Sequence, residues 1–197
     1  MPKPLRKILQ GVTYHCYSRC QGLNKLLLEK EAKTSFMEAI KMCQKKYKFE
    51  LSAAEIVDNH FHLLIRTLEN EETIARIMQY IKARTAETYN RATKRKGPFW
   101  NERYGCKIVE HTKNPKRYLT DLLWYIAHNP VKKGLSRNPR NNYIGFIKCY
   151  LIRNYEISIK ITLHPYFYEL GNSFTERVKK FLSYEKEYVQ RGLVAYA

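Results

Sequence analysis

Polar and apolar residues alternate along residues 11–20 (GVTYHCYSRC), a stretch rich in β-formers, and the pattern predicts a first strand. Over residues 29–47 the period lengthens. Phe36, Ile40 and Cys43 recur at helical spacing, so a helix follows. Residues 49–57 (FELSAAEIV) and 60–66 (HFHLLIR) flank a short Asp-Asn turn and read as a hairpin. A second helix covers residues 71–93, with Ile74, Ile77, Met78 and Ile81 on one stripe, and the Lys-Gly-Pro turn at 96–98 ends it. Residues 103–111 (RYGCKIVEH) form a fourth strand. The next helix opens with Asn114 as N-cap and Pro115 at its first position, and buries Leu119, Leu122, Leu123 and Ile126. It is expected to close at Pro130, because the residue before a proline is steered away from helical dihedrals.

The resulting order is strand, helix, strand, strand, helix, strand, helix. That is the split βαβ signature of an α+β, ferredoxin-like antiparallel sheet with helices packed on it. Beyond residue 137 the patterning weakens. NNYIGFIKCYLI is compatible with strand or helix, whereas SFTERVKKFLSYEKEYVQ reads as an amphipathic helix. The chain therefore divides into a core over residues 1–137 and a mainly helical C-terminal extension over 138–197, which packs on the core or contacts its ligand.

Composition sharpens this picture mainly through charge. The 197 residues are 44% hydrophobic, enough for a buried core, yet 36 Lys and Arg against 18 Asp and Glu leave a net charge of +18. Such an excess predicts a polyanionic partner and salt-sensitive binding. The apolar runs are too short for a bilayer, and no basic amphipathic segment dominates, so a membrane partner is not expected. The opening MPKPLRKILQG is basic and lacks an apolar signal core, which points to a cytoplasmic address. The five cysteines include no CxxC pair and read as reduced thiols. A zinc-stabilised interaction protein built on Cys16, Cys20 and a histidine is the competing interpretation.

His60 and His62 share one face of their strand, with Phe61 and Leu63 opposite. Neutral imidazoles in that spacing suit a metal chelate, without choosing the ion. Alone, the spacing favours two hydrogen-bonded histidines and needs a third partner. On the late helix, Tyr118, Tyr125 and Asn129 follow one flank of the apolar stripe, with Tyr125 and Asn129 one turn apart. Spacing alone is equally satisfied by an ordinary semi-buried tyrosine. The segment KRKGPFWNERYGCK interleaves cations with aromatics, as single-strand grips do, and fits a turn with core aromatics equally well. Its candidate contacts are Lys94, Arg95, Phe99, Trp100, Arg103, Tyr104 and Lys107; Arg84 and Arg91 on the preceding helix are candidates for phosphate.

Three blocks in order, NHFHLL, GPFWNERYG and YIAHNPVKKGL, resemble the REP-associated tyrosine transposases, IS200-like members of the HUH single-strand nucleases. The resemblance runs over about residues 11–137; Asp58 stands where the family commonly has proline. It implies a metal-dependent endonuclease and strand transferase acting on single-stranded DNA with hairpin elements, as a monomer or homodimer. It further implies that Tyr125 is the nucleophile and that His60, His62 and Asn129 hold Mg²⁺ or Mn²⁺. The alternative is a non-catalytic nucleic-acid-binding module on the same fold.

Overall fold

Alternation makes Thr13–Arg19 (β1) a strand with two different faces, and its neighbours bury one of them. β1 pairs antiparallel with both His60–Arg66 (β3) and Gly105–Ile108 (β4), while Glu50–Ile56 (β2) flanks β3, in the sheet order β2-β3-β1-β4. The helices Lys30–Lys46 (α1) and Ile74–Thr93 (α2) are the two crossovers and pack against each other. This is the ferredoxin-like arrangement expected from the pattern. The structure is a computed structural model that describes residues 8–22, 25–101 and 103–193; the basic opening residues 1–7 lie outside that description.

The α1 and α2 stripes bury the sheet face that carries Tyr14, Cys16, Phe61, Leu63 and Ile65, with the Phe36 and Phe61 ring centroids 4.9 Å apart. Thr73 caps α2 by accepting the Arg76 N–H, and Lys94, in the left-handed region at φ 56°, terminates it.

Pro115–Lys132 (α3) is positioned on the opposite face. Asn114 accepts the Arg117 N–H at 3.1 Å and Pro115 opens the helix, as its sequence anticipates. One expectation is corrected. The helix does not close at Pro130 but continues to Lys132. Pro130 is buried in the last turn, where its missing N–H removes only one helical bond. The freed end is tied down by the Gly134 and Leu135 N–H groups, which donate to Val131 and Pro130 carbonyls, and Asn142 Nδ2 donates to the Ala127 carbonyl at 2.7 Å. Packing thus outweighs the local preference of Asn129 and keeps it on the helix.

The extension contributes Lys148–Leu151 (α4), Pro165–Tyr168 (α5) and Phe174–Tyr188 (α6). NNYIGFIKCYLI becomes loop and the short α4, and the expected amphipathic helix is α6, capped by Ser173. Trp124 of α3 stacks on Phe181 of α6 at 4.6 Å and donates its indole N–H to the Phe181 carbonyl. The Tyr150 hydroxyl donates to the Ser52 carbonyl and the Thr162 N–H to the Leu51 carbonyl, so the extension covers the outer side of β2. Phe146, Tyr150, Phe167 and Phe181 join the same apolar core as the sheet. Among the described residues no helix is long and apolar enough to cross a membrane.

Candidate active site

The site is built where α3 crosses the sheet face carrying alternate residues of β1 and β3. Register sets His62 beside Tyr17 and His60 beside Arg19, while His15 and Lys107 face each other on β1 and β4. In the turn before β3, Asp58 accepts the Asn59 N–H at 2.9 Å and the Val57 N–H donates to the His60 carbonyl. Asn59 Oδ1 lies 3.0 Å from His60 Nδ1. An amide oxygen accepts only, so the His60 proton resides on Nδ1 and the Nε2 lone pair is left for a ligand.

His62 is held from both sides. Its Nε2 lies 2.8 Å from Asn129 Nδ2, and its Nδ1 lies 2.9 Å from His15 Nε2. The amide donates to Nε2, so Nδ1 carries the proton and donates to His15. Neither Nε2 of the pair carries a proton: that of His60 is left for a ligand, and that of His62 accepts the Asn129 amide. Burial lowers the pKa of His62 well below the usual imidazole value, helped by His15, His60 and Arg19. Burial also lowers His60, against the opposing pull of Asp58, and brings His15 down to about 4 with Lys107 adding to the effect. All three are neutral at physiological pH, the form that ligates a metal.

Tyr125 leans over this cluster. Its ring centroid is 5.4 Å from that of His62 and 6.3 Å from that of His15, edge-on to both, and the Lys132 ammonium lies 5.6 Å from it. A cavity of about 440 Å³ opens in front, lined by His15, Tyr17, Arg19, His60, His62, Asn101, Arg103, Gly105 and Tyr125 among others. Behind His62, its cross-strand neighbour Glu55 is fully buried and accepts from the Ile56 N–H and from Asn142 Nδ2; burial pushes its pKa up to about 8.

The donors present fit a divalent cation. His60 Nε2, His62 Nε2 and the Asn129 amide are uncharged, add no negative charge beside a phosphate, and lie on one side of the sheet; an ion would replace the Asn129 N–H at His62 Nε2, and Asn129 would ligate through its amide oxygen. Among the described residues no three His, Cys, Asp or Glu side chains converge to hold a metal, so a Cys16/Cys20 zinc site has no geometry to support it.

The remaining sequence candidates separate. Arg103 lines the cavity, and Lys107 shares its face with the ammonium 4.5 Å from the Tyr118 ring centroid. Arg84 and Arg91 pair with Glu87 on α2, behind the sheet, and Arg95 donates to the Pro98 carbonyl; with Lys94, none lines the cavity. Phe99 is 1% exposed between Tyr89 and Trp100. Trp100 packs edge-on against Phe61 and donates its indole N–H to the Lys82 carbonyl, and Tyr104 is buried. As base-stacking surfaces Phe99 and Tyr104 are a correction, because both are buried in the core, whereas Trp100 is half-buried against it. His15, Tyr17, Arg19 and Asn101 were not singled out from the sequence, although alternation along TYHCYSR already sets the first three on one face.

A split βαβ sheet with paired imidazoles, a tyrosine-bearing helix and a cavity lined by two arginines defines an α+β fold, and the family it matches consists of DNA-processing enzymes. The family model for IS200-like transposases matches residues 9–122, more than half of the chain, and the chain belongs to that family. A Haemophilus influenzae relative named as a REP-associated tyrosine transposase is 27% identical over 139 residues, 66% of this chain and 72% of the relative. Among solved structures, a REP-associated tyrosine transposase bound to a REP hairpin superposes with a TM-score of 0.64 at 19% identity, over 82% of this chain and 92% of the other. The family match ends three residues before Tyr125.

Proposed function

We propose that this transposase cuts and rejoins single-stranded DNA at hairpin-forming sites through a covalent bond to Tyr125, assisted by Mg²⁺ or Mn²⁺ held by His60, His62 and Asn129. The observation carrying the reading is that one helix brings Tyr125 to 5.4 Å from the His62 ring and Asn129 to 2.8 Å from its Nε2. The hairpin is supported by the REP hairpin bound to the solved relative.

In the proposed step the Tyr125 hydroxyl oxygen bonds to the scissile phosphorus and the P–O3′ bond breaks. The phenol loses one proton and the departing 3′ oxygen gains one. The products are a 5′-phosphotyrosine and a 3′-hydroxyl. Attack by another 3′-hydroxyl reverses the chemistry and rejoins the strand with no nucleotide cofactor. A bound divalent ion supplies charge neutralisation and orientation at the phosphate. Arg19 and Arg103 hold the phosphates entering the cavity, and His15 fixes His62 through Nδ1.

Incubation with a single-stranded hairpin oligonucleotide and Mg²⁺ or Mn²⁺, followed by a denaturing gel, tests the reading. A protein–DNA band that vanishes in Tyr125→Phe is expected. Tight binding with no band on any hairpin would instead favour the non-catalytic binding module.

A further inference from the structure

The chemistry above accounts for the imidazoles, Tyr125 and the cations, but leaves one aromatic in the cavity without a role. Tyr17 is the β1 residue between His62 on β3 and Gly105 on β4, and it is 45% exposed. Its ring lies across the edge strand. A Cβ at position 105 would stand 2.4 Å from two of its ring carbons and 2.7 Å from its hydroxyl oxygen. Glycine there serves space rather than conformation, since it lets a ring rest on bare backbone. One side of the ring is seated on β4, and the exposed remainder lines the cavity shared with His62 and Tyr125.

The surroundings identify the ligand. Arg19 lies two residues along the strand and Arg103 across the cavity mouth, both able to hold phosphates. The nearest aromatic rings, His15 and His62, are tilted at 5.6 and 6.2 Å rather than stacked on it. An exposed aromatic between cations on a sheet is how proteins stack the bases of an unpaired strand. Phe99 and Tyr104 cannot take this part, being buried at 1% and 7% exposure.

We infer that Tyr17, seated over Gly105, is the stacking platform for an unpaired nucleobase flanking the phosphate presented to Tyr125. The inference rests on the proposed function and adds a base-binding subsite to it. It makes the protein selective for a strand unpaired at that position, because a paired base has no free face.

The test uses (dT)₈ carrying 5-iodouracil, photo-crosslinked to the protein and mapped by mass spectrometry, with affinity for the same oligonucleotide measured in parallel. The crosslink is expected on Tyr17 and is retained in Tyr17→Phe. Tyr17→Ser should lose it and bind about tenfold more weakly. Gly105→Ala leaves the tyrosine chemically intact but dislodges its ring, and should weaken binding similarly with an unchanged melting temperature. Crosslinks that map elsewhere, with unaltered affinity in Tyr17→Ser and Gly105→Ala, would overturn the inference. Covalent adduct formation by the wild type on hairpin DNA is scored in the same preparation. Adduct without Tyr17 dependence sinks the platform alone; Tyr17-dependent binding without adduct sinks the phosphotyrosine reading alone; no single-strand binding by the wild type sinks both.

Discussion

Two stretches of this chain mix aromatics with cations, and the fold uses them in opposite ways. Residues 94–107 hold Phe99, Trp100 and Tyr104 among five Lys and Arg side chains, and look like a nucleic-acid grip. Phe99 and Trp100 pack against Phe36, Phe61 and Tyr89, and Tyr104 is buried. The first strand, TYHCYSR, is less conspicuous, yet Tyr17 and Arg19 face the cavity from it. Composition tells which side chains are available. Strand alternation and cross-strand register decide which of them face a ligand.

Mutation of the two aromatic sets should separate stability from binding. Phe99→Ala empties a fully packed site and should cost about 3–5 kcal/mol of stability, read as a fall in denaturant midpoint. Tyr17→Ala should cost about 1 kcal/mol or less while impairing DNA binding. Equal destabilisation by both would erase the contrast.

A smaller effect is expected from His15→Leu, which removes the acceptor for His62 Nδ1–H without touching a proposed ligand. Mn²⁺ affinity, followed by electron paramagnetic resonance, should fall about 10- to 100-fold with little change in melting temperature. Unchanged Mn²⁺ affinity would mean that His15 only fills space.

Glu55 gives a pH signature. Its pKa rises from the ordinary 4.5 to about 8 on folding, so the protonated carboxyl is the form that folding favours. The associated stability is complete below about pH 4.5 and is lost as pH climbs to about 8. Glu55→Gln preserves an acceptor for Asn142 Nδ2 and should flatten that decline relative to wild type. Parallel profiles for the two proteins would contradict it. The smallest change is expected from Tyr118→Phe, which should keep most adduct formation, since Tyr118 meets Lys107 rather than the imidazole cluster.

Much of the site could be read from local periodicity. Two-residue alternation put His60 and His62 on one face, and one helical turn joined Tyr125 to Asn129. What stayed hidden depends on partners distant in sequence. His15 reaches His62 only through strand pairing across 47 residues. The continuation of α3 through Pro130 depends on the Asn142 bond to Ala127 and on burial under the extension. The fate of Phe99 and Trp100 was undecided because an aromatic beside a turn packs inward or outward with the same local sequence.

The most direct test of the account is to trap the covalent product on single-stranded hairpin DNA with Mn²⁺, digest it, and identify the nucleotide-bearing residue by mass spectrometry. The account predicts a 5′-phosphoryl linkage on Tyr125, absent when His60 and His62 are both replaced by alanine. A linkage on any other side chain, or one on Tyr125 that persists without the two histidines, would contradict it.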